Sequence, residues 1–347
     1  MTARVRFGAV IVNYRCAPLA LDAALSFLGD GGAKAVIVDN ASDDGSAEAL
    51  DAAIAGVREH APQVPREAIA GRLVRFADLK NLAPGALAVI RSKTNGGFAA
   101  GCNAGLRALA TMPGLDHYLL LNPDALLATG ALAAFADRLS DGAAGLCGAS
   151  IVGFDAPHTV QAFGGAAFDP LLLTGRNIGE GETLSEMPDR RSVEAQLSYP
   201  LGAAIALRKD YLTRAGYLDE RYFLYYEEID WARAGGSASR PVWAPEAVVY
   251  HRYGASSLSK RAGAGRPSAR SALSDYHMTR SRILFAMKWS PALAPLAMLA
   301  GGTQAARRLM RGKRANAAAV LRASLPGSPR AYGAPPAARA DSRQLSR

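Results

Sequence analysis

Cysteine is scarce in this chain of 347 residues: Cys16, Cys102 and Cys147 form an odd set with no C-x-x-C spacing. That argues against a disulfide framework and against zinc, and for a reducing compartment. Long apolar runs are missing too. The stretch from Ile283 to Met298 is interrupted by Lys288, Pro291 and Pro295, which makes it too short and broken for a membrane span. No basic-then-apolar leader is visible, because Met1 to Arg6 passes straight into an apolar strand; no secretory signal and a cytoplasmic location are therefore expected. Acids nearly vanish from the last quarter. Residues 252–347 carry 18 of the 40 Lys and Arg against only Asp275 and Asp341, about +16, which leaves about −6 on the rest of a chain of net charge +10. Beyond Trp289 aromatics are scarce as well, Tyr332 being the only one. A basic stretch without interleaved aromatics, attached to an acidic body, speaks against nucleic acid as a partner.

What the chain has in quantity is apolar material, half of its residues, enough for one large α/β domain and an appendage. The expected organisation is a main domain over 1–255 and a helical, basic region over 256–325. From 326 onward Pro, Ala, Gly, Ser and Arg dominate, and a disordered tail is expected. In the basic region Arg307, Arg308, Arg311, Lys313 and Arg314 interleave with Leu309, Met310, Val320 and Leu321. That is the composition of a helix lying on an anionic membrane surface, and equally of a solvated basic helix packed on its own domain. Residues 60–84 form a longer connection than such a fold requires, with no readable role.

Three short apolar strands end abruptly in polar residues. Ala9 to Val12 runs into Asn13-Tyr14-Arg15, Ala35 to Val38 into Asp39-Asn40-Ala41-Ser42, and Leu119 to Leu121 into Asn122-Pro123-Asp124. Repeated βα units of this kind build an open, mostly parallel sheet flanked by helices, with a ligand crevice at the carboxyl edge. Pro123 removes a ladder donor and stops its strand, so Asp124 stands at a strand end. A lone carboxylate there suits a divalent cation, Mg²⁺ or Mn²⁺, carrying a diphosphate; it would equally cap a helix beginning near Ala125. Asp39 is placed to accept from a base N–H or ribose hydroxyls. Asp43, Asp44 and Gly45 read as a turn before a helix that starts at Ser46. The segment from Asn95 and Gly96 to Asn103, rich in glycine, leads into a helix whose start favours phosphate, or whose glycines simply permit tight helix–sheet packing. Later, Glu227, Glu228 and Asp230 crowd three carboxylates into four positions, which raises at least one pKa toward a value useful for a general base. Acidic residues at a helix start are the alternative.

Taken in order, VIVNYR, VDNASDDGS, NGGFAAGCNAG, LLLNPDA and YLDERYFLYYEEIDWARA resemble the inverting glycosyltransferases of family 2, in particular the rhamnosyltransferase-like branch, where N-P-D commonly stands for D-x-D. The resemblance covers roughly residues 5 to 290. It implies a GT-A fold, a nucleotide-sugar donor, with rhamnose from a dTDP donor as the first expectation, a divalent metal, and direct displacement at the anomeric carbon. Residues matching the donor side are Asn13, Tyr14, Asp39, Asn95, Gly96, Asn103, Asn122 and Asp124. The strand-end His251 joins Asp124 as a metal ligand, and Ser256 and Ser257 follow in a loop expected over the diphosphate. Arg280 and Arg282 would neutralise phosphates or merely line a solvated helix face. Gly202, Glu227 and Trp231 fall on the acceptor side. Glu228 occupies the base position, an Asp-to-Glu departure that leaves Asp230 as a competitor. The implied acceptor is a glycan or a polyprenyl-linked glycan in a cell-envelope pathway. A nucleotidyltransferase or other nucleotide-binding α/β enzyme is the rival reading; it would normally show a second metal carboxylate near Asp124 or a basic Gly-rich loop near the N-terminus.

Overall fold

Strand β1 (Phe7–Asn13) is followed by helix α1 (Ala17–Gly29), β2 (Lys34–Asp39) and α2 (Ser46–Ile54). Then come β3 (Leu87–Arg91), α3 (Gly97–Ala110), β4 (His117–Leu121), β5 (Ala125–Leu127), α4 (Ala131–Leu139) and β6 (Ala144–Gly153). Short strands β7 (Val160–Phe163), β8 (Gly165–Asp169) and β9 (Thr174–Asn177) precede α5 (Arg190–Gln196), β10 (Tyr199–Pro200) and β11 (Ala204–Arg208). Helices α6 (Lys209–Ala215) and α7 (Glu227–Ala234) and the long β12 (Arg240–His251) follow. The C-terminal helices are α8 (Ala272–Trp289), α9 (Ala294–Met310) and α10 (Arg314–Ser324). This computed structural model describes residues 5–65, 67–69, 71–237, 239–252 and 271–332.

The main sheet runs β3-β2-β1-β4-β11-β6-β12-β5, with β7 paired to β6. β3, β2, β1 and β4 are parallel, β11 is antiparallel to both neighbours, and β12 is parallel to β6. Alternate strand residues serve opposite faces. Ala9, Ile11 and Ile37 pack with α1, α2 and α4, whereas Val10, Val12 and Val38 pack with α3, α6 and α7. Because β2 and β4 flank β1 on opposite sides, the order reverses direction at β1, and that is where open α/β sheets leave a crevice. A separate three-stranded sheet has the order β10-β8-β9.

The chain divides into two compact units, Met1–Glu220 with Glu227–Ser257, and Arg221–Tyr226 with Leu258–Arg347. The aromatic segment Arg221–Tyr226 groups with the C-terminal helices. Within that second unit Phe223 stacks on His277 at 4.5 Å, and Ser281 donates to the Leu224 carbonyl. The tail expected to be disordered from 326 is packed at least as far as Tyr332: Tyr276 donates to the Pro329 carbonyl at 2.6 Å and its ring meets that of Tyr332. Within the first unit the 60–84 connection is tied down along its length. His60 pairs with buried Asp22, the Ile69 amide donates to the Tyr250 hydroxyl, that hydroxyl donates to the Arg72 carbonyl, and Ala77 donates to Leu25.

Candidate functional site

Register places the polar strand ends side by side. Asn13 of β1 is opposite Asp39 of β2, and β1 is in parallel register with β4 up to Leu121, just before the Asn122-Pro123-Asp124 loop. The Asn13 amide donates to Asp39 Oδ1 at 2.7 Å, and the Ser42 amide donates to Oδ2 at 3.1 Å. A carboxylate accepts about four hydrogen bonds, so Asp39 keeps capacity for a ligand hydroxyl or N–H. Burial pushes the Cys16 thiol up to about 11, and the charges of Asp124, Asp44 and Asp39 add to the rise.

Asp124 does not cap a helix. Its carbonyl accepts from the Arg252 amide, and the next residue, Ala125, opens β5, paired antiparallel with β12 so that Ala125 faces His251. The sequence places a helix here because short apolar runs do not distinguish strand from helix; the sheet edge offered by β12 decides it. This pairing brings Asp124 Oδ1 to 3.3 Å from His251 Nε2, without hydrogen-bond geometry. The oxygen is buried and has no hydrogen-bond partner among the described residues. On the far side of the ring, Nδ1 lies 2.7 Å from Gln161 Oε1. An amide oxygen only accepts, so Nδ1 donates to Gln161, and Nε2 is the nitrogen turned toward Asp124. With the ring neutral, a carboxylate oxygen and an imidazole nitrogen would face one another here, donor atoms that could share a cation, and the bond behind the ring fixes its orientation. No group of three or more His, Cys, Asp or Glu suited to a metal occurs among the described residues. A hard divalent cation bound through one or two protein ligands takes the remainder from phosphates and water.

The acidic cluster stands at the start of α7. The Leu201-Gly202-Ala203 turn joins it to the loop just described: the Asn122 amide donates to the Ala203 carbonyl at 3.0 Å, and a Cβ on Gly202 would collide with the Glu228 carboxylate. Burial raises Glu228 to about 7. Glu227 is raised well above the carboxylate range, by burial first and the neighbouring charge of Glu228 second, and its Oε2 is buried without a hydrogen-bond partner among the described residues. A half-buried acid poised near neutrality beside a glycine-sized space is equipped to take a proton from a hydroxyl.

Other expected residues have structural duties. Trp231, placed on the acceptor side by the sequence, is 1 % exposed; its indole donates to the Gly216 carbonyl and its ring meets Tyr211 edge-on in the core. Glu227, Glu228 and Asp230 share its short helix, but a helix turns about 100° per residue and aims Trp231 inward. Asn103 spends both amide protons on Leu218 and Glu220 and accepts from the Leu218 amide. Asn95 accepts from Asn40 and from the Gly97 amide, and Asn40 accepts from the Gly96 amide, so this segment is a wired loop at the start of α3. Gly101 and Gly105 press α3 onto Val12 and Val10, where no side chain would fit; here glycine serves packing. Tyr14 is exposed beside Arg15, which pairs with Asp43. Arg280 belongs to the second unit, where it donates to the Arg221 and Ser328 carbonyls and burial lowers its pKa. Ser256 and Ser257 lie outside the described residues. Gln161 and Asn40 escaped the sequence reading: Gln161 acts through a residue 90 positions away, and nothing local marks it.

Among solved structures, the chain resembles GalNAc-T7 crystallised with UDP, GalNAc and Mn²⁺, at a TM-score of 0.55 and 12 % identity over 81 % of this chain. The fold is that of the GT-A glycosyltransferases. The chain spans about half, 48 %, of that neighbour's length. Residues 1–349 of S. aureus TarS in complex with UDP-GlcNAc align over 92 % of this chain and 90 % of TarS, at 13 % identity and a TM-score of 0.47. No family model and no curated protein matches the sequence.

Proposed function

We propose that the chain is an inverting glycosyltransferase that moves a sugar from a nucleoside-diphosphate donor to a hydroxyl of a glycan or lipid-linked glycan. One observation carries this reading: the Gly202 turn touches both the Asp124 loop, whose buried Oδ1 lies 3.3 Å from His251 Nε2, and Glu228, whose carboxyl burial raises to about 7. Asp39 and Asn13 would hold the nucleoside at the β1–β2 edge. Asp124 and His251 are the residues to hold a divalent cation, which when bound would offset the charge growing on the leaving diphosphate. Glu228 accepts the acceptor hydroxyl's proton. The resulting oxygen bonds to the anomeric carbon as that carbon's bond to the diphosphate breaks, and attack opposite the leaving group inverts the centre. A pKa of about 7 leaves about half of Glu228 in the base form at neutral pH. The narrower assignment, rhamnose from a dTDP donor, is supported by the ordered motifs and by N-P-D in place of D-x-D.

Calorimetric titration of dTDP and UDP, with and without Mn²⁺, tests the donor half on wild type and on Asp124→Asn. Metal-dependent binding should be present in the first and lost in the second, while the melting temperature stays. Binding that ignores both the metal and the substitution would overturn the assignment of Asp124. Transfer from dTDP-rhamnose to a hydroxyl acceptor, followed by mass spectrometry, tests the sugar.

A further inference from the structure

We propose that the exposed face of the α9–α10 hairpin docks on an anionic phospholipid bilayer. Helices of globular proteins bury their large apolar side chains and leave the rest to water. Here the arrangement is turned inside out. On α9 the buried residues are Ala294, Ala297, Gly301 and Ala305, three or four apart, whereas Leu296, Leu299 and Met310 on the opposite stripe are 55 %, 69 % and 80 % exposed. α10 repeats the pattern, with Ala317, Ala319, Val320 and Ala323 inside and Leu321, together with Leu325 just past the helix end, outside. The cause is a close helix–helix approach: Gly301 lies so near Ser324 that a Cβ there would clash. Helices meeting on small residues have no room for Leu between them, and the large side chains are left outward. Met298, Leu299, Leu321 and Leu325 line a shallow groove of about 710 Å³ between the two helices.

Charge selects the occupant. Arg307, Arg311 and Arg314 are exposed around the turn that joins the helices. The single acid among residues 271–332 is Asp275, and it is consumed internally, accepting two bonds from Arg308 and one from Asn316, all at 2.7 Å. Arg308 therefore leaves the set of cations that the sequence offered to a membrane. An apolar face flanked by cations and free of acids matches a surface that is apolar inside and anionic at its rim, which is a bilayer interface. A second copy of this face would bring like charges together. No helix among the described residues is long and apolar enough to cross a membrane, so the hairpin would lie on the surface.

The test is co-sedimentation of the full chain with vesicles of equal parts phosphatidylglycerol and phosphatidylcholine, against phosphatidylcholine alone, at low and high salt. The wild type should pellet with the anionic vesicles at low salt and be released by high salt. Arg307→Gln, Arg311→Gln and Arg314→Gln together should weaken partition on the order of a hundredfold. Leu299→Ser with Met310→Ser should weaken it at least about tenfold, since exposed side chains that insert lose apolar burial. All these positions face solvent, and unchanged helical circular dichroism confirms that the variants fold. Absence of the wild type from the anionic pellet at low salt, or equal partition by either variant, overturns the proposal. So does light scattering that shows a dimer broken by Leu299→Ser and Met310→Ser without vesicle binding, which would assign the face to a second copy.

Discussion

Replacing Glu228 by Gln should stabilise the fold while abolishing transfer, and the two effects share one cause. Burial lifts this carboxyl from its ordinary 4.5 to about 7. Between those values the folded chain holds a proton that the unfolded chain has released, so stability falls as pH rises through the window. Once pH exceeds both values the loss is about 3 kcal/mol, at about 1.4 kcal/mol for each tenfold change in acidity. Glutamine has nearly the same shape and no charge to bury, so Glu228→Gln escapes this loss. Urea unfolding at pH 5, near the foot of the window, should separate wild type and variant by less than about 1 kcal/mol. At pH 8 the variant should be the more stable by about 1–3 kcal/mol, since relaxation around the ionised acid recovers part of the difference. Wild-type kcat/KM should rise with pH through about 7, and the variant should lose about 10²–10⁴ in rate while retaining donor affinity. A midpoint difference that is the same at pH 5 and pH 8 would refute the reasoning, because it would mean that the carboxyl is not buried in its charged form.

The other expected outcomes test neighbouring parts of the site. Gly202→Ala sets a methyl against the Glu228 carboxylate; displacement of the base should reduce kcat about a hundredfold with little change in donor affinity by calorimetry. Asp230→Asn should leave substantial turnover, and loss of turnover there with activity retained in Glu228→Gln would move the base assignment to Asp230. Trp231→Phe loses the bond to the Gly216 carbonyl and some core volume, so denaturant midpoints should report a cost of about 1–3 kcal/mol while KM for acceptor stays constant; a raised KM with unchanged stability would restore Trp231 to the acceptor site.

The sequence by itself determined the strands of the parallel core and the polar residues at their ends. An unbroken apolar run that stops at Asn13, Asp39 or Asn122 is written in adjacent residues, and so is the crowding of Glu227, Glu228 and Asp230 at a helix start. It also carried the charge division between the body and the C-terminal helices. Only the tertiary structure decided what those groups face. Asp124 meets His251 because β5 adds to β12 instead of opening a helix, and His251 presents Nε2 because Gln161, on β7, takes its other nitrogen. Glu228 is held near neutrality by burial beside Gly202, while Trp231, three residues on, points into the core. Local pattern fixes the period of an element and which residues end it. Which distant strand supplies its neighbour depends on sheet order and register, and where two helices touch through glycine and alanine, that contact alone turns their leucines outward.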